Sequence, residues 1–304
     1  MNVSPYFHSS LYQRMSEDLQ LTGKAPRTVS GYLRAIRQLA DFCQATPDTI
    51  TETQLRQFFL HLKNDRGFAY GSLRVALSGV KFFYSVTCPR DWDVLSLLKL
   101  KNVSTLPEVL TRQQVRQVIA ATTTPRMNTF FWTVYSLGLR LGEGLSLQVG
   151  DIDAQRAMVH IHRGKGAKDR YISLPDATLQ RLRTYWLTHR HPQFLFPADG
   201  RNHRLTTGTA NRSQTPMSQT AVQGAIKQIT RQLDFGKKIS IHTLRHCYAT
   251  HLLEAGVSLK VIQQYLGHAS LTTTLIYLHL TDTATQNARQ VIDQLFHDQL
   301  SPGI

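Results

Sequence analysis

Six side chains, dispersed between residues 140 and 277, could together transfer a phosphoryl group without a metal ion. They are Arg140, Lys165, His242, Arg245, His268 and Tyr277. Attack on a phosphodiester builds negative charge on the non-bridging oxygens, which bidentate guanidinium groups can stabilise. A tyrosine hydroxyl can be the nucleophile if a neighbouring group receives its proton, and a lysine can protonate the leaving oxygen. The set predicts a covalent phosphotyrosine, which conserves the bond energy and needs no ATP.

Two of these residues have a simpler structural interpretation when each is considered alone. Arg140 stands in the apolar run SLGLRLGEGLSL, three residues before Glu143, so a structural Arg140–Glu143 ion pair is the alternative there. Tyr277 lies in LGHASLTTTLIYLHL, and a tyrosine in such a segment is usually a core residue with one satisfied hydroxyl. Only the complete set, in a basic chain, favours the chemical interpretation.

A zinc site is the alternative for the histidine-rich segment SIHTLRHCYATHLLEAG. His242 and His246 are four residues apart, but the motif H-E-x-x-H requires a glutamate where Thr243 stands. We therefore expect no metal site, and we interpret His246 and His251 as structural. Because the sequence also lacks G-x-x-x-x-G-K-[ST], we expect no nucleotide and no other cofactor.

The charge of the chain indicates a polyanionic partner. The formal net charge is +15 and the pI is about 10.0, with a net charge of +5 in residues 1–104 and +10 in residues 105–304. Basic charge that is spread over folded segments favours duplex nucleic acid. The three cysteines are widely spaced and predict reduced thiols. With no apolar segment of about 18 residues and no signal peptide, we expect a cytoplasmic protein without a membrane partner.

Residues 1–104 carry the pattern of a compact helical domain. Apolar spacing predicts four helices. The first covers about residues 5–20, the second follows Pro26 with Thr28 as N-cap, the third covers about residues 52–63, and the fourth begins near Ser72. Basic side chains on these helices are the candidates for contact with the sugar–phosphate backbone. They are Arg27, Arg34, Arg37, Arg74 and Lys81.

Residues 99–108 look like a linker, and residues 105–304 form the second predicted domain. Thr111 is a plausible N-cap of its first helix. Residues 157–162 and 171–174 predict a β-hairpin around the basic loop RGKGAKDR, which adds Lys168 and Arg170 as candidate DNA contacts, and LSLQVGDID could add a third strand. The predicted fold is mainly α with a small β-hairpin or three-stranded sheet, that is, an α+β catalytic domain behind a helical domain. The polar stretch 199–216 predicts a loop.

The order of these motifs resembles the tyrosine recombinases, or phage integrase family. It consists of G-L-R-x-x-E (138–143), G-K-G-x-K-x-R (164–170), H-x-L-R-H (242–246), L-G-H (266–268) and Tyr277. The segment APRTVSGYLRAIRQLADFC is similar to the SAM-like core-binding domain of Xer-type members. The resemblance implies a core-binding DNA-binding domain over 1–104 and a catalytic domain over 105–304 with a C-terminal tail helix.

The resemblance also implies a role for each matching residue. Arg140 and Arg245 would clamp the scissile phosphate, and Glu143 would support the arginine. Lys165 would protonate the 5′-oxygen, and Tyr277 would attack to leave a 3′-phosphotyrosyl bond. His242 would assist acid–base transfer, and His268 would bind a non-bridging oxygen.

The partners implied are double-stranded DNA with short inverted-repeat sites and a tetramer that acts through a Holliday junction. The tetramer could be homomeric or formed with a related recombinase, and an accessory protein could assist. The loop 199–216 and the absence of an arm-binding module favour a mobile-element recombinase over a chromosomal Xer pair or a large phage integrase. Integration, excision and resolution stay open, as do two alternatives: relaxation of DNA by a type IB topoisomerase, and a non-catalytic DNA-binding regulator.

Overall fold

The computed structural model describes residues 4–94, 106–162, 169–198 and 210–278. The chain divides into two compact units, Met1–Thr105 and Leu106–Ile304, each with its own buried apolar cluster. Lys165, Lys168 and the predicted tail helix after Tyr277 lie outside the described residues, as do residues 199–209 of the predicted loop.

Within its described residues, 4–94, the first unit contains four α-helices, as its apolar spacing predicts. They are α1 (Ser9–Leu21), α2 (Pro26–Cys43), α3 (Glu52–Asn64) and α4 (Tyr70–Phe82), and a π-helical turn, Phe83–Thr87, continues α4. The prediction of Thr28 as N-cap of α2 is wrong, because the helix begins at Pro26 with Ala25 as N-cap. Proline fixes φ at a helical value and has no N–H to leave unpaired, so it is well suited to the first helical position.

Helices α2 and α4 approach each other closely at a glycine. A Cβ on Gly79 would lie 3.0 Å from the Cα of Tyr32, so a larger residue would push the two helices apart. Leu33, Ile36 and Leu39 of α2 are buried in the apolar cluster of this unit. The close crossing lets a unit of fewer than 100 described residues bury a continuous core.

The second unit begins with a helix whose start the sequence predicts. Thr111 is the N-cap of α5 (Arg112–Ala120), and its side chain and that of Gln114 form a capping box. The other α-helices in the described part of this unit are α6 (Pro125–Leu137), α7 (Leu141–Ser146), α8 (Asp176–His189), α9 (Gln219–Leu233), α10 (Ile241–Glu254), α11 (Leu259–Leu266) and α12 (Thr272–Leu275).

A three-stranded antiparallel sheet completes this unit and confirms the predicted fold class. Its strands are β1 (Ile152–Asp153), β2 (Met158–Ile161) and β3 (Arg170–Ser173), in the order β1-β2-β3. Both the hairpin and the third strand that LSLQVGDID suggested are present. Val159 and Ile172, which are paired across β2 and β3, are both buried.

In the part of the chain described, no helix combines the length and the apolar character needed to cross a bilayer. Of the stretch 199–216, the described part contains a short 3₁₀ turn, Ala210–Arg212, and a bridge between Pro197 and Pro216.

Candidate active site

Five of the six residues predicted to do chemistry line one cleft in the second unit. The cleft has a volume of about 780 Å³. Its lining includes Arg140, His242, Arg245, His268 and Tyr277. The sixth residue, Lys165, lies outside the described residues. Residues separated by up to 137 positions in the sequence are thus brought to one surface.

Helix ends position these side chains. Arg140 is the N-cap of α7, and Glu143, three residues later, accepts a hydrogen bond of 2.8 Å from the Arg140 backbone N–H. His242 and Arg245 are three residues apart near the start of α10, which Ser240 caps. His268 follows α11, and Tyr277 follows the single turn of α12.

Each arginine of the predicted clamp is held by the carbonyl of a glycine that ends a helix. Arg245 donates from Nη1 to Gly138 O at 2.7 Å, and Arg140 donates from Nη2 to Gly267 O at 3.2 Å. Both glycines are left-handed C-caps, with φ of +60° at Gly138 and +61° at Gly267. Glycine adopts this conformation without a Cβ penalty, and the turn directs the carbonyl away from the helix axis towards the guanidinium.

Glu143 is surrounded by three arginines. Its carboxylate accepts hydrogen bonds from Arg140 (2.7 Å) and from Arg170 (3.0 and 2.8 Å), and the Nη1 atom of Arg245 lies 3.7 Å away. Burial alone would raise the pKa of Glu143, but the hydrogen bonds and charge of Arg170, together with Arg140, lower it to about 2. One carboxylate facing three guanidinium groups leaves the site with an excess of positive charge, which suits a phosphate.

The structure corrects the expectation for Arg170. Its side chain is 9% exposed and is engaged by Glu143 and by the carbonyl of Tyr265, at 2.7 Å from Nε, instead of facing outwards to DNA. Arg170 and the buried Ile172 are two residues apart on β3 and share a face, whereas Tyr171 points to the exposed side. The alternation along YISL contained this signal, since Arg170 directly precedes the run.

Tyr277 is almost completely buried, and its hydroxyl has a specific partner. The side chain is 2% exposed, and its oxygen lies 3.0 Å from Nδ1 of His246. Burial raises the pKa of Tyr277, while the charges of Arg245 and Arg140 act in the opposite direction. The tyrosine is therefore protonated at rest and needs an acceptor for its proton in order to become a nucleophile.

His246 lies in the cleft, which corrects its interpretation as a structural residue. Its ring packs against that of His242, with centroids 5.3 Å apart, and against that of Tyr277, at 5.8 Å. The signal was available in the sequence, because a residue four positions after His242 lies on the same face of a helix. His251 does have a structural position, since it connects the Tyr135 hydroxyl (2.8 Å) to the Leu110 carbonyl (2.9 Å).

The three histidines of the cleft are neutral at pH 7. Burial, followed by the charge of His242, lowers the pKa of His246 to about 4. Burial, followed by the charges of Arg245 and Arg140, lowers the pKa of His268 to about 4. The same three causes lower the pKa of His242, although its side chain remains open to solvent. A neutral imidazole can accept a proton, whereas an imidazolium cannot.

His268 is fixed beside the tyrosine. Its Nδ1 atom lies 2.9 Å from the hydroxyl oxygen of the buried Thr274, and its ring is nearly parallel to that of Tyr277, with centroids 6.4 Å apart. The hydrogen bond to Thr274 sets the orientation of the ring, so that the histidine faces the cleft as a group ready to contact an oxygen.

The basic residues predicted to contact DNA in the first unit have the exposure that such a role requires. Arg27 and Arg34 on α2, and Arg74 and Lys81 on α4, are exposed, while Arg37 is half-buried. Exposure is compatible with backbone contacts and does not distinguish them from ordinary surface charges, so their contact with DNA stays a prediction.

Two models of known families match the chain. Residues 108–284 match the model described as "Phage integrase family", and residues 11–94 match "Phage integrase, N-terminal SAM-like domain". The second match covers most of α1 and all of α2 to α4, and the first covers the whole cleft.

Individual relatives agree with these models. The chain is 35% identical to the "Putative integrase/recombinase y4qK" of Sinorhizobium fredii over 89% of this chain and 84% of that protein. It is 28% identical to the "Tyrosine recombinase XerA" of Thermococcus onnurineus over 90% and 91% of the two chains. Among solved structures, a Tn1549 transposon integrase in complex with transposon right end DNA has a TM-score of 0.67 at 18% identity, covering 93% of this chain and 99% of that one, which shows the shared fold.

Proposed function

The chain belongs to the phage integrase family, and on that premise we propose that it is a site-specific DNA recombinase with Tyr277 as its nucleophile. As a member of the tyrosine recombinase type, it is an enzyme that cleaves and rejoins DNA strands. The observation that carries the assignment of residues is the convergence of Tyr277, Arg140 and Arg245 on one cleft.

The arginines would hold the scissile phosphate. Arg245 is the more buried of the two, with a side-chain exposure of 2% against 22% for Arg140, and the carbonyls of Gly138 and Leu266 both accept from its guanidinium. A cation that is already held in place stabilises developing charge on the phosphate without reorganisation during the reaction. Arg140 would turn part of its hydrogen bonding from Gly267 to a non-bridging oxygen, and His268 would contact another.

The proton of Tyr277 would pass to a neutral histidine as the oxygen attacks phosphorus. His246 is the group in hydrogen-bonding contact with this hydroxyl, so we assign it the role of orienting Tyr277 and of receiving its proton. A bound phosphodiester brings negative charge to the cleft and would raise the pKa of the surrounding histidines, which favours this transfer.

The bond between phosphorus and the 5′-oxygen breaks as the bond to Tyr277 forms. Lys165 would supply the proton to the leaving 5′-oxygen, with His242 assisting, and the product would be a 3′-phosphotyrosyl bond and a free 5′-hydroxyl. Rejoining reverses these steps with another 5′-hydroxyl. Two oxygen–phosphorus bonds of similar energy are exchanged, so the reaction needs no ATP. The two guanidinium groups would stabilise the charge that a divalent cation could otherwise stabilise, so we propose a reaction without a metal ion or cofactor.

The assembly follows the same proposal. We infer that the chain acts in the cytoplasm on duplex DNA with short inverted-repeat sites, as a tetramer that exchanges strands through a Holliday junction. The tetramer is homomeric or formed with a related recombinase, with or without an accessory protein. Tn1549 transposon integrase and XerH are described in complexes with a circular intermediate DNA and with difH substrate, respectively. Both proteins support a DNA substrate, and the transposon integrase supports a mobile-element setting.

A nicked suicide substrate tests the nucleophile, because cleavage then releases a short fragment and traps the covalent protein–DNA adduct. We expect the adduct with the wild-type chain in excess EDTA and none with Tyr277→Phe. The matched control is Tyr135→Phe, which also removes a tyrosine hydroxyl bonded to a histidine, at His251, but outside the cleft. An adduct with Tyr277→Phe would refute the assignment, and a strict requirement for a divalent ion would refute the metal-free reaction.

The DNA products of the wild-type chain distinguish a recombinase from the two alternatives, a type IB topoisomerase and a non-catalytic DNA-binding regulator. Strand exchange between two sites identifies a recombinase, whereas relaxation of one circle without exchange identifies a type IB topoisomerase. DNA binding without any adduct from the wild-type chain would leave only a non-catalytic regulator.

A further inference from the structure

A second cluster of ligating side chains lies on the β2–β3 hairpin, on the face opposite to its buried residues. His160 and His162 are two residues apart, so both side chains leave the same face of the chain. Asp169 directly precedes β3. One ligand atom from each of the three residues lies within 4.8 Å of the others.

The distances within this cluster match the separations between the ligand atoms of a shared metal ion. The Oδ2 atom of Asp169 lies 3.2 Å from Nε2 of His160 and 3.5 Å from Nδ1 of His162. Charge-assisted hydrogen bonds are shorter, at about 2.7–2.9 Å. In a tetrahedral zinc site with bonds of about 2.0–2.1 Å, neighbouring ligand atoms are roughly 3.3 Å apart. The two separations from Asp169 Oδ2, to His160 and to His162, are therefore close to the separation between neighbouring ligand atoms in a tetrahedral zinc site.

A buried carboxylate orients the second histidine, as carboxylates that bind the outer nitrogen of a ligating histidine do in zinc proteins. Oδ1 of Asp151 lies 2.8 Å from Nε2 of His162, and Oδ2 of the same carboxylate accepts from the Gln148 backbone N–H at 2.8 Å. The Asp151 side chain is 7% exposed, whereas that of His162 is 53% exposed. A carboxylate bound to one ring nitrogen fixes the tautomer and directs the other nitrogen, here Nδ1, towards the metal position.

We propose that His160, His162 and Asp169 form a binding site for a divalent transition-metal ion such as Zn²⁺, with Asp151 as the residue that positions His162. Two imidazoles and a carboxylate are a ligand set that zinc accepts, with water in the fourth position. His160 is held by stacking on Tyr171, with ring centroids 4.5 Å apart and an interplanar angle of 8°. Because His162 and Asp169 flank residues 163–168 in the chain, the ion would connect the two ends of the segment that contains Lys165.

This site is separate from the cleft chemistry, and its test does not depend on DNA cleavage. The full-length chain is freed of metal with EDTA, desalted, and titrated with Co²⁺, whose visible absorption reports tetrahedral coordination; Zn²⁺ is then added to displace it. We expect one Co²⁺ per chain in the wild type and loss of the bands in His160→Ala and in His162→Ala. Asp151→Asn should weaken binding by about 10-fold or more, because it replaces the carboxylate that orients the His162 ring.

Two controls locate the ion. His61→Ala removes a histidine from another exposed histidine–aspartate pair, His61–Asp65 at 2.8 Å, and should leave the bands unchanged. His246→Ala removes a histidine from the cleft and should also leave them unchanged. Circular dichroism confirms that each variant is folded. Bands that survive in His160→Ala/His162→Ala, bands lost in His246→Ala, or no Co²⁺ bound by the wild type would each overturn the proposal.

Discussion

The hydroxyl oxygen of Tyr277 lies 3.0 Å from Nδ1 of His246, so the residue assigned as nucleophile shares a hydrogen bond with a histidine of α10. Helix α10 thus contributes both Arg245, which we propose binds the phosphate, and His246, the partner of the proposed nucleophile. The contact also gives the hydroxyl of Tyr277 a hydrogen-bond partner, which a side chain that is only 2% exposed cannot obtain from water.

His246→Ala should slow formation of the covalent adduct by about 100-fold, in the range found when a general acid or base is removed. His246→Asn should recover part of this loss, because its amide oxygen can accept from the tyrosine hydroxyl without taking the proton. Single-turnover cleavage of the suicide substrate measures both rates. Equal rates for the wild type and His246→Ala would show that the contact does not contribute to the reaction.

The stability of the second unit should fall as the pH is lowered from about 6.5 to about 4. His246 and His268 have a pKa of about 4 in the folded chain, below the ordinary value of 6.5. The unfolded chain therefore binds more protons in this window, and stability present above pH 6.5 is lost as the pH approaches 4. Urea unfolding at several pH values measures the effect, and a His246→Ala/His268→Ala variant should show a smaller slope.

Glu143→Gln should destabilise the second unit by about 3–5 kcal/mol, as expected when one partner of a buried ion cluster is removed. The substitution keeps the shape of the side chain but leaves the guanidinium groups of Arg140 and Arg170 without their shared anion. The matched control is Asp153→Asn, whose pair with Arg156 is exposed and 3.8 Å long, and which should change stability by less than about 1 kcal/mol. Similar urea midpoints for the two variants would contradict this account.

Gly138→Ala should be more destabilising than Gly236→Ala, although both glycines have a φ of about +60°. The left-handed conformation alone costs an alanine about 1–2 kcal/mol. A Cβ at Gly138 would also lie 2.3 Å from the ring of Tyr248, whereas a Cβ at Gly236 would meet nothing within 4 Å. Because the carbonyl of Gly138 holds Arg245, the alanine variant should also cleave more slowly, and equal stability of the two variants would refute the steric argument.

Local patterns in the sequence were sufficient for several elements. The period of the apolar residues predicted α1 to α4, and Thr111 was the correct N-cap because a capping box involves only residues three apart. The two short β-type runs, residues 157–162 and 171–174, on either side of the Gly-rich loop likewise predicted the hairpin. Two local signals compete at the start of α2, where Thr28 could cap the helix and Pro26 could begin it. The proline determined the start, and Ala25 is the N-cap.

The types of the site residues, and the family motifs that contain them, were likewise readable from the sequence, since Arg140, His242, Arg245, His268 and Tyr277 all reach the cleft. Only the tertiary structure decided which side chains face it. Arg170 turns inwards to Glu143, a residue 27 positions away, and His246 meets Tyr277 across 31 positions. Spacing indicates the face of the strand or helix on which Arg170 and His246 lie, but the partner that each side chain meets depends on how the helices and strands pack against one another. The sequence thus determined the chemistry available, and the fold determined which groups hold the arginines and which histidine contacts the tyrosine hydroxyl.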